Sequence, residues 1–332
     1  MKIVRAYHAL DVPAFYTPSH LAVSAAFLAI LLLPVYIAAA GWFGLKVIVL
    51  LALSCVAGAI TEFAGILVTG KHTGYLGFTT WFLFPLMVPP GIELWMSVLC
   101  LILAIIVTVI FFGGHGHHVF HPSVVAQVFV MINFATRFSG SFLRPRFDML
   151  SGFSSYVSIP ETGETAIGLT KTGTFIPGIQ LFFGPNSGFL SDAFPFLILA
   201  AGCIFLVFGG VNRKTPVTFL ASLAVFSFIG NRYFPSAIPA VPQTMLAGSA
   251  FFYAFFILSD RWTSPKSGFG RVSAGIIAAL LTLLMRAFST HMEAVMYATL
   301  FTYAFAPLLD ELGFRIWSLR YKAVPAPNGS DI

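Results

Sequence analysis

The sequence predicts an all-α integral membrane protein with about ten transmembrane segments in two inverted five-helix repeats, and three observations lead there. Charge is scarce. Of 332 residues, 58% are hydrophobic and 9% charged, with a mean hydropathy of +0.90; a soluble domain carries roughly 25% charged residues. The apolar residues come in long runs rather than alternating, so the backbone must satisfy itself within helices and not around a barrel. These runs also fall in two sets about a single polar stretch.

In order, Met1 to Ser19 is a mixed segment with Lys2 and Arg5. Apolar spans are expected at 21–42, at 45–69 with Glu62 inside it, at 76–88 ending in Pro89-Pro90-Gly91, and at 94–112. A Gly- and His-rich bend follows, Gly113 to Pro122, and then a short apolar segment, 123–135. The polar stretch 136–188 is rich in Gly, Ser and Thr and has no run long enough to cross lipid; loops of that length are uncommon and often functional. Spans resume at 189–211, 216–229 and 244–258. The turn from Ser259 to Gly268 precedes the last two, 272–288 and 294–309. The expected organisation is an N-terminal membrane half (1–135), an extracytoplasmic loop (136–188), a C-terminal membrane half (189–310) and a charged, then loose, cytoplasmic tail (311–332).

An odd number of spans before the loop starts the second set from the opposite face, which makes related halves inverted. In each half the third segment is short and ends in a Pro-containing polar break, and matched interruptions of that kind point to a site near the midplane. The net charge of +6 is read as orienting the chain in a bilayer rather than as binding nucleic acid. With the N-terminus inside, most Lys and Arg of the short connections are cytoplasmic. Lys46, Arg232 and Arg286 fall outside, and so does the loop carrying Thr165. This is the arrangement expected in the inner membrane of a prokaryote. The first apolar run is long and begins near Leu21, so it reads as a retained span and not as a cleaved signal.

Several residues are candidates for chemistry. Glu62 is a carboxylate inside a span, where a charge costs roughly 2.5–3.5 kcal/mol, and it is the ion-path candidate. His115, His117, His118 and His121 cluster in the Gly-rich bend. His117 and His121 are spaced i, i+4 and on a helix would share a face suited to a metal or haem iron. The surrounding Gly113, Gly114, Gly116 and Pro122 argue instead for a bend before a half-helix, whose free N–H groups meet an anion or a polar ring edge. Haem between helices would also need a partner His within another span, and none is visible. Cys55, Cys100 and Cys203 stand alone in apolar runs and make neither a disulfide framework nor a metal site.

Four places together resemble the D subunit of Rnf complexes and the B subunit of Nqr, related membrane subunits of ion-translocating electron-transfer chains. Gly113-Gly114-His115-Gly116-His117-His118-Val119-Phe120-His121-Pro122 is similar to that family's G-G-x-G-x-N-x-F-N-P. Thr162-Gly163-Glu164-Thr165 is similar to its flavin-attachment pattern [S/T]-G-A-T. Ser259-Asp260-Arg261-Trp262-Thr263-Ser264-Pro265 is similar to its T-D-P-x-T-S-P, and Glu293 to Asp310 follows its last span. The departures are Glu164 for Ala, His118 and His121 for Asn, Arg261 for Pro, and Ile159 where an upstream Asp is common, which marks a divergent member.

The resemblance implies FMN joined through its phosphate to Thr165, with Thr162 and Gly163 in the attachment motif and Thr174 a weaker second position. A second, non-covalent flavin among the helices is a further expectation, and Gly114, Gly116, His118, Phe120 and Asp260 are further candidate cofactor-binding residues. A flavin transferase and the other membrane and redox subunits of an Rnf/Nqr-like complex are the implied partners, with electron transfer coupled to Na⁺ or H⁺ movement. The competing readings are a transporter or channel without redox chemistry and a His-ligated haem cytochrome of the membrane.

Overall fold

The computed structural model describes residues 18–69, 76–112, 114, 118–146, 150–157, 163–171, 174, 176–235, 237–288 and 294–321. Every regular element among them is a helix. The N-terminal part comprises α1 (Pro18–Phe43), α2 (Lys46–Thr69), α3 (Leu76–Leu83) with a 3-10 turn Phe84–Met87, α4 (Leu94–Ile105) with a π-turn Ile106–Ile110, and α5 (Pro122–Asn133). The connecting stretch is not bare loop: it contains α6 (Ala135–Ser139), a 3-10 turn Leu150–Ser154, α7 (Ala166–Lys171) and α8 (Gly178–Phe183). The C-terminal part comprises α9 (Pro195–Phe208), α10 (Lys214–Tyr233), α11 (Val241–Leu246), α12 (Ala250–Phe252) with a π-turn Tyr253–Ile257, α13 (Gly268–Phe288), α14 (Ala294–Ala304) and α15 (Ala306–Tyr321).

Among the described residues, three helices are long and apolar enough to cross a membrane: Ser24–Phe43, Lys46–Val68 and Gly268–Phe288. Shorter apolar helices occupy Gly77–Met87, Leu94–Ile110, Pro122–Asn133, Pro195–Phe208 and Ala294–Ala304. The two parts pair their helices in the same way. α2 packs on α4 and α4 on α5, just as α10 packs on α13 and α13 on α14, while α1 meets α9 across the centre.

The faces follow from spacing. On α2, Val56, Ile60, Phe63 and Leu67 recur at three and four residues and are all exposed, the stripe a lipid-facing helix requires. On the opposite side Ser54, Gly58, Glu62 and Gly65 are buried. Hydroxyls inside the bundle turn back on their own helices: Thr108 donates to the Ala104 carbonyl, Thr282 to Ala278 and Thr299 to Val295. Helix contact is made by small residues. A Cβ on Gly275 would collide with Thr218 Oγ1 and lie 2.7 Å from the Thr215 carbonyl oxygen, so α10 and α13 touch backbone to backbone.

Three expectations are corrected. The span expected from Phe189 starts only at Pro195, because 188–194 is a turn in which Asn186 N–H bonds the Ala193 carbonyl and Asp192 faces inward. The span expected at 244–258 is two half-helices, broken where Gly248 (φ 70°) and Ser249 (φ 54°) both turn left-handed. The tail beyond 311 is helical to Tyr321, because Asp310 docks α15 by accepting the N–H groups of Lys266 (2.9 Å) and Ser267 (2.7 Å).

Packing at Gly275 yields a direct expectation. Gly275→Leu drives a side chain into the α10 backbone and lowers stability by about 3 kcal/mol or more, whereas Ile276→Leu on the neighbouring, 39% exposed position is near neutral. Thermal unfolding in detergent, followed by circular dichroism, separates the two.

Candidate functional site

Two polar assemblies stand out, at opposite ends of the half-helix running from Ala250 to Ile257. The first joins the two motif regions. α4 ends in a π-turn, with Gly114 N–H bonding the Val109 carbonyl at 2.8 Å, and α12 ends in another, with Leu258 N–H bonding Tyr253 at 2.8 Å. Such turns widen a helix end and recur at functional sites. They deliver Gly114 from one side and Ser259–Asp260 from the other. Gly114 is buried at φ 110°, a conformation that needs glycine, and a Cβ there would meet nothing within 4 Å, so room is left beside it.

His118 and His121 are both buried, and their imidazoles act on Asp260. Burial pushes the Asp260 carboxyl upward. His121 and His118, with the Thr263 hydroxyl (2.8 Å) and Thr263 N–H (3.1 Å) bonded to Oδ2, outweigh it and hold the carboxyl below its ordinary range. Asn212 ties this turn down, donating to Thr215 Oγ1 (2.6 Å) and Ser264 Oγ (2.9 Å). Phe120 lies half-buried alongside, packed against the main core. Gly116 and His117 lie outside the described residues. His121 precedes α5 as its extended N-terminal flank, and the alternative of a metal held by His117 and His121 falls in part outside the described residues. Among the described residues no group of three His, Cys, Asp or Glu side chains could hold a metal ion.

The second assembly surrounds Thr165. The residue is 3% exposed and flanks α7, its Oγ1 accepting Gly168 N–H at 3.2 Å and its carbonyl accepting Leu169 N–H at 3.0 Å. The Thr165 hydroxyl is therefore a helix cap under local packing. Gly163 N–H bonds the Phe142 carbonyl at 2.8 Å, and a Cβ on Gly163 would sit 2.5 Å from Ser187 Oγ, so no larger residue fits. Thr162 lies outside the described residues. Thr174 is exposed, its N–H bonding Leu169.

α7 rests on the helix break. Ala166, Ile167, Leu181 and Ala247 form one apolar cluster, and a Cβ on Gly248 would collide with Ile167 Cδ1. Beneath it the break is closed by two buried charges that sequence reasoning missed. Asp192 accepts Gly248 N–H at 2.7 Å and Ser249 N–H at 2.6 Å, and Ser191 and Ser249 share a hydroxyl bond at 2.8 Å. Arg286 donates to the carbonyls of Thr244 (2.5 Å), Ala247 (2.9 Å) and Gly248 (3.0 Å). The anion sits at the start of α12 and the cation at the end of α11, as the helix dipoles favour. The available signal was an Asp inside an apolar run and an Arg closing an apolar span. Glu62 plays a bracing part elsewhere: it accepts Trp81 Nε1–H at 3.0 Å, and a Cβ on Gly77 would collide with its carboxylate, so it joins α2 to α3.

The profile of the NQR2, RnfD, RnfE family matches residues 12–314. The D subunit of the ion-translocating oxidoreductase complex of Halorhodospira halophila is 28% identical over 249 residues, covering 67% of this chain and 69% of that protein. Its counterpart in Cronobacter sakazakii is 27% identical over 252 residues, covering 67% and 72%. The one from Escherichia coli K12 is 28% identical over 260 residues, covering 70% and 74%.

Asp192 supplies a pH test. Burial raises its carboxyl to about 6, against the lowering by the Ser249 and Gly248 N–H groups and by Arg286. Between the unfolded and folded values the folded chain binds more protons, so stability falls as pH rises from 4 to 7, by up to about 3 kcal/mol. Asp192→Asn flattens that dependence, as read from unfolding midpoints at stepped pH.

Proposed function

This chain belongs to the NQR2, RnfD, RnfE family, and from that premise we propose that it is a membrane subunit of an ion-translocating oxidoreductase complex, carrying FMN on Thr165. The observation that carries this reading is the meeting of separate motif regions. The Gly114–His121 segment and the Ser259–Pro265 turn, 138 positions apart at His121 and Ser259, converge on the Asp260 carboxylate. Sequence similarity alone does not require them to touch; a shared site does.

The residues present fit a flavin in both places. At Thr165, Oγ would hold the flavin phosphate and would keep a lone pair for Gly168 N–H, while Gly163 keeps the chain free of a side chain against Ser187. At the junction, the bare, open face of Gly114 leaves room for a ring edge, with His118, His121 and Asp260 as polar partners and Phe120 beside them. A flavin bound at either place supplies one- and two-electron transfer. The protein's own part is to hold each ring at a fixed depth and to keep its surroundings dry.

The cap on Thr165 also orders events. A six-residue helix is marginal by itself. Its first turn opens for a transferase to reach the hydroxyl, and the docking of Ile167 on Gly248 follows. Orientation with the N-terminus inside and the Thr165 loop outside is supported by the two outer cations with internal duties: Lys46 donates to the Gly91 carbonyl at 2.9 Å, and Arg286 caps α11. The repeated pairing of α2, α4 and α5 by α10, α13 and α14 supports inverted halves. Coupling to Na⁺ or H⁺ is energetically modest: one charge moved against 100 mV costs about 2.3 kcal/mol, and a two-electron drop of roughly 50 mV covers it.

Thr165→Val removes the hydroxyl and keeps the shape. In a host with the transferase, peptide mass spectrometry of the 163–171 region shows FMN on the natural chain and none on the variant. An unmodified Thr165 in natively assembled complex defeats the assignment.

A further inference from the structure

α8, in the stretch that the sequence places outside the membrane, has two opposed faces. Its residues turn by about 100° each, so Leu181 points away from Ile179 and Phe183. Leu181 is buried with Ala166, Ile167 and Ala247 in the cluster that seats α7. Ile179 is 79% exposed and Phe183 65%. The inner face is fastened: α8 packs on α9 and α11, and Gln243 Nε2 of α11 donates to the Ile176 carbonyl at 3.1 Å. Carbonyls at the end of α8 are matched within the protein, Gln180 by Gly184 N–H and Leu181 by Asn186 Nδ2, both at 2.8 Å. The outer face is apolar and aromatic, and from Ile176 to Ser191 the chain carries no charge.

Two observations say what covers that face. The first is continuity. The rings of Phe182 and Phe183 lie 5.6 and 5.4 Å from that of Phe196, the second residue of α9. Phe196 heads a row at four-residue spacing, Phe196, Ala200, Ile204 and Phe208, and all four are exposed, the stripe that an apolar helix turns to lipid. α8 extends this stripe past the end of the helix. The second is length. α9 has 14 residues, about 21 Å at helical rise, against a hydrocarbon core roughly 30 Å thick. Its far end is fixed at a polar boundary, because exposed Arg213 donates to the carbonyls of Leu206 (2.8 Å) and Val207 (2.7 Å), with exposed Lys214 next to it. Measured from there, Pro195 stops about 9 Å short of the opposite boundary, and any tilt lowers it further. A helix lying across that end is about 10–12 Å wide, which fills the remaining layer.

We propose that α8 lies within the bilayer interface on the side of Thr165, with Ile179, Phe183 and Phe196 against lipid where the head groups meet the acyl chains. An uncharged, aromatic face suits that depth. Because Leu181 of the same helix packs under α7, lipid then holds the Thr165 segment at a fixed level. The inference rests on the chain being a membrane protein and is independent of what Thr165 carries.

The test uses the natural, assembled complex in phosphatidylcholine nanodiscs. One lipid carries a photoreactive diazirine near the head group, a second carries it near the chain end, and mass spectrometry locates the adducts. Hydroxyl-radical oxidation of Phe183 reports water on the same sample. The head-group-proximal probe is expected to label Ile179, Phe183 and Phe196 several-fold more than the chain-end probe, with Leu181 unlabelled and Phe183 protected from oxidation. Oxidation of Phe183 without lipid adducts places the face in water. Protection without adducts places it under another subunit. Equal or stronger labelling by the chain-end probe places it inside a span. Each of these three results overturns the inference.

Discussion

The break between α11 and α12 is the constraint on which the rest of this structure depends. A backbone buried away from water cannot leave its polar groups unmatched, so an interrupted helix survives only where other protein groups replace the lost bonds. Here Arg286 takes the carbonyls of Thr244, Ala247 and Gly248, and Asp192 takes the N–H groups of Gly248 and Ser249. Each charge is also matched to the half-helix end it covers, which reduces the penalty of burying it. Removing either leaves donors or acceptors without partners and the opposite charge less compensated.

The arrangement has consequences for the chain around it. Because Gly248 is held in a left-handed turn without a side chain, Ile167 can rest on it, and the segment carrying Thr165 is seated on the C-terminal half. Gln243, one turn earlier, ties Ile176 to the same surface. The short element from Ala250 to Ile257, about 12 Å at helical rise, then carries the chain from this seat to Asp260.

At that second assembly the divergence of this chain has physical content. Asn at two motif positions would surround Asp260 with neutral dipoles. His118 and His121 surround it with groups that carry charge, and their field helps keep the carboxylate ionised against its burial. The two π-turns place these residues by advancing the chain at helix ends where a regular α-helix would rotate them elsewhere.

Much of this was legible in residues taken alone. Scarcity of charge and long apolar runs dictate helices in lipid, because each residue's solvation preference is a local property. The spacing of Val56, Ile60, Phe63 and Leu67 marks a lipid face for the same reason. Motif order singled out Thr165, Gly114, His118 and Asp260 as candidates, since residue identity and spacing are read from the chain alone. Only the tertiary structure decided that Asp192, hidden in an apolar run, and Arg286, counted as an outer charge, close one helix break together. It alone turned the Thr165 hydroxyl into a cap and oriented the Gln243 amide. Those outcomes depend on which carbonyls and N–H groups lie unmatched across 38 to 57 positions of chain, and that is a property of packing which no single segment contains.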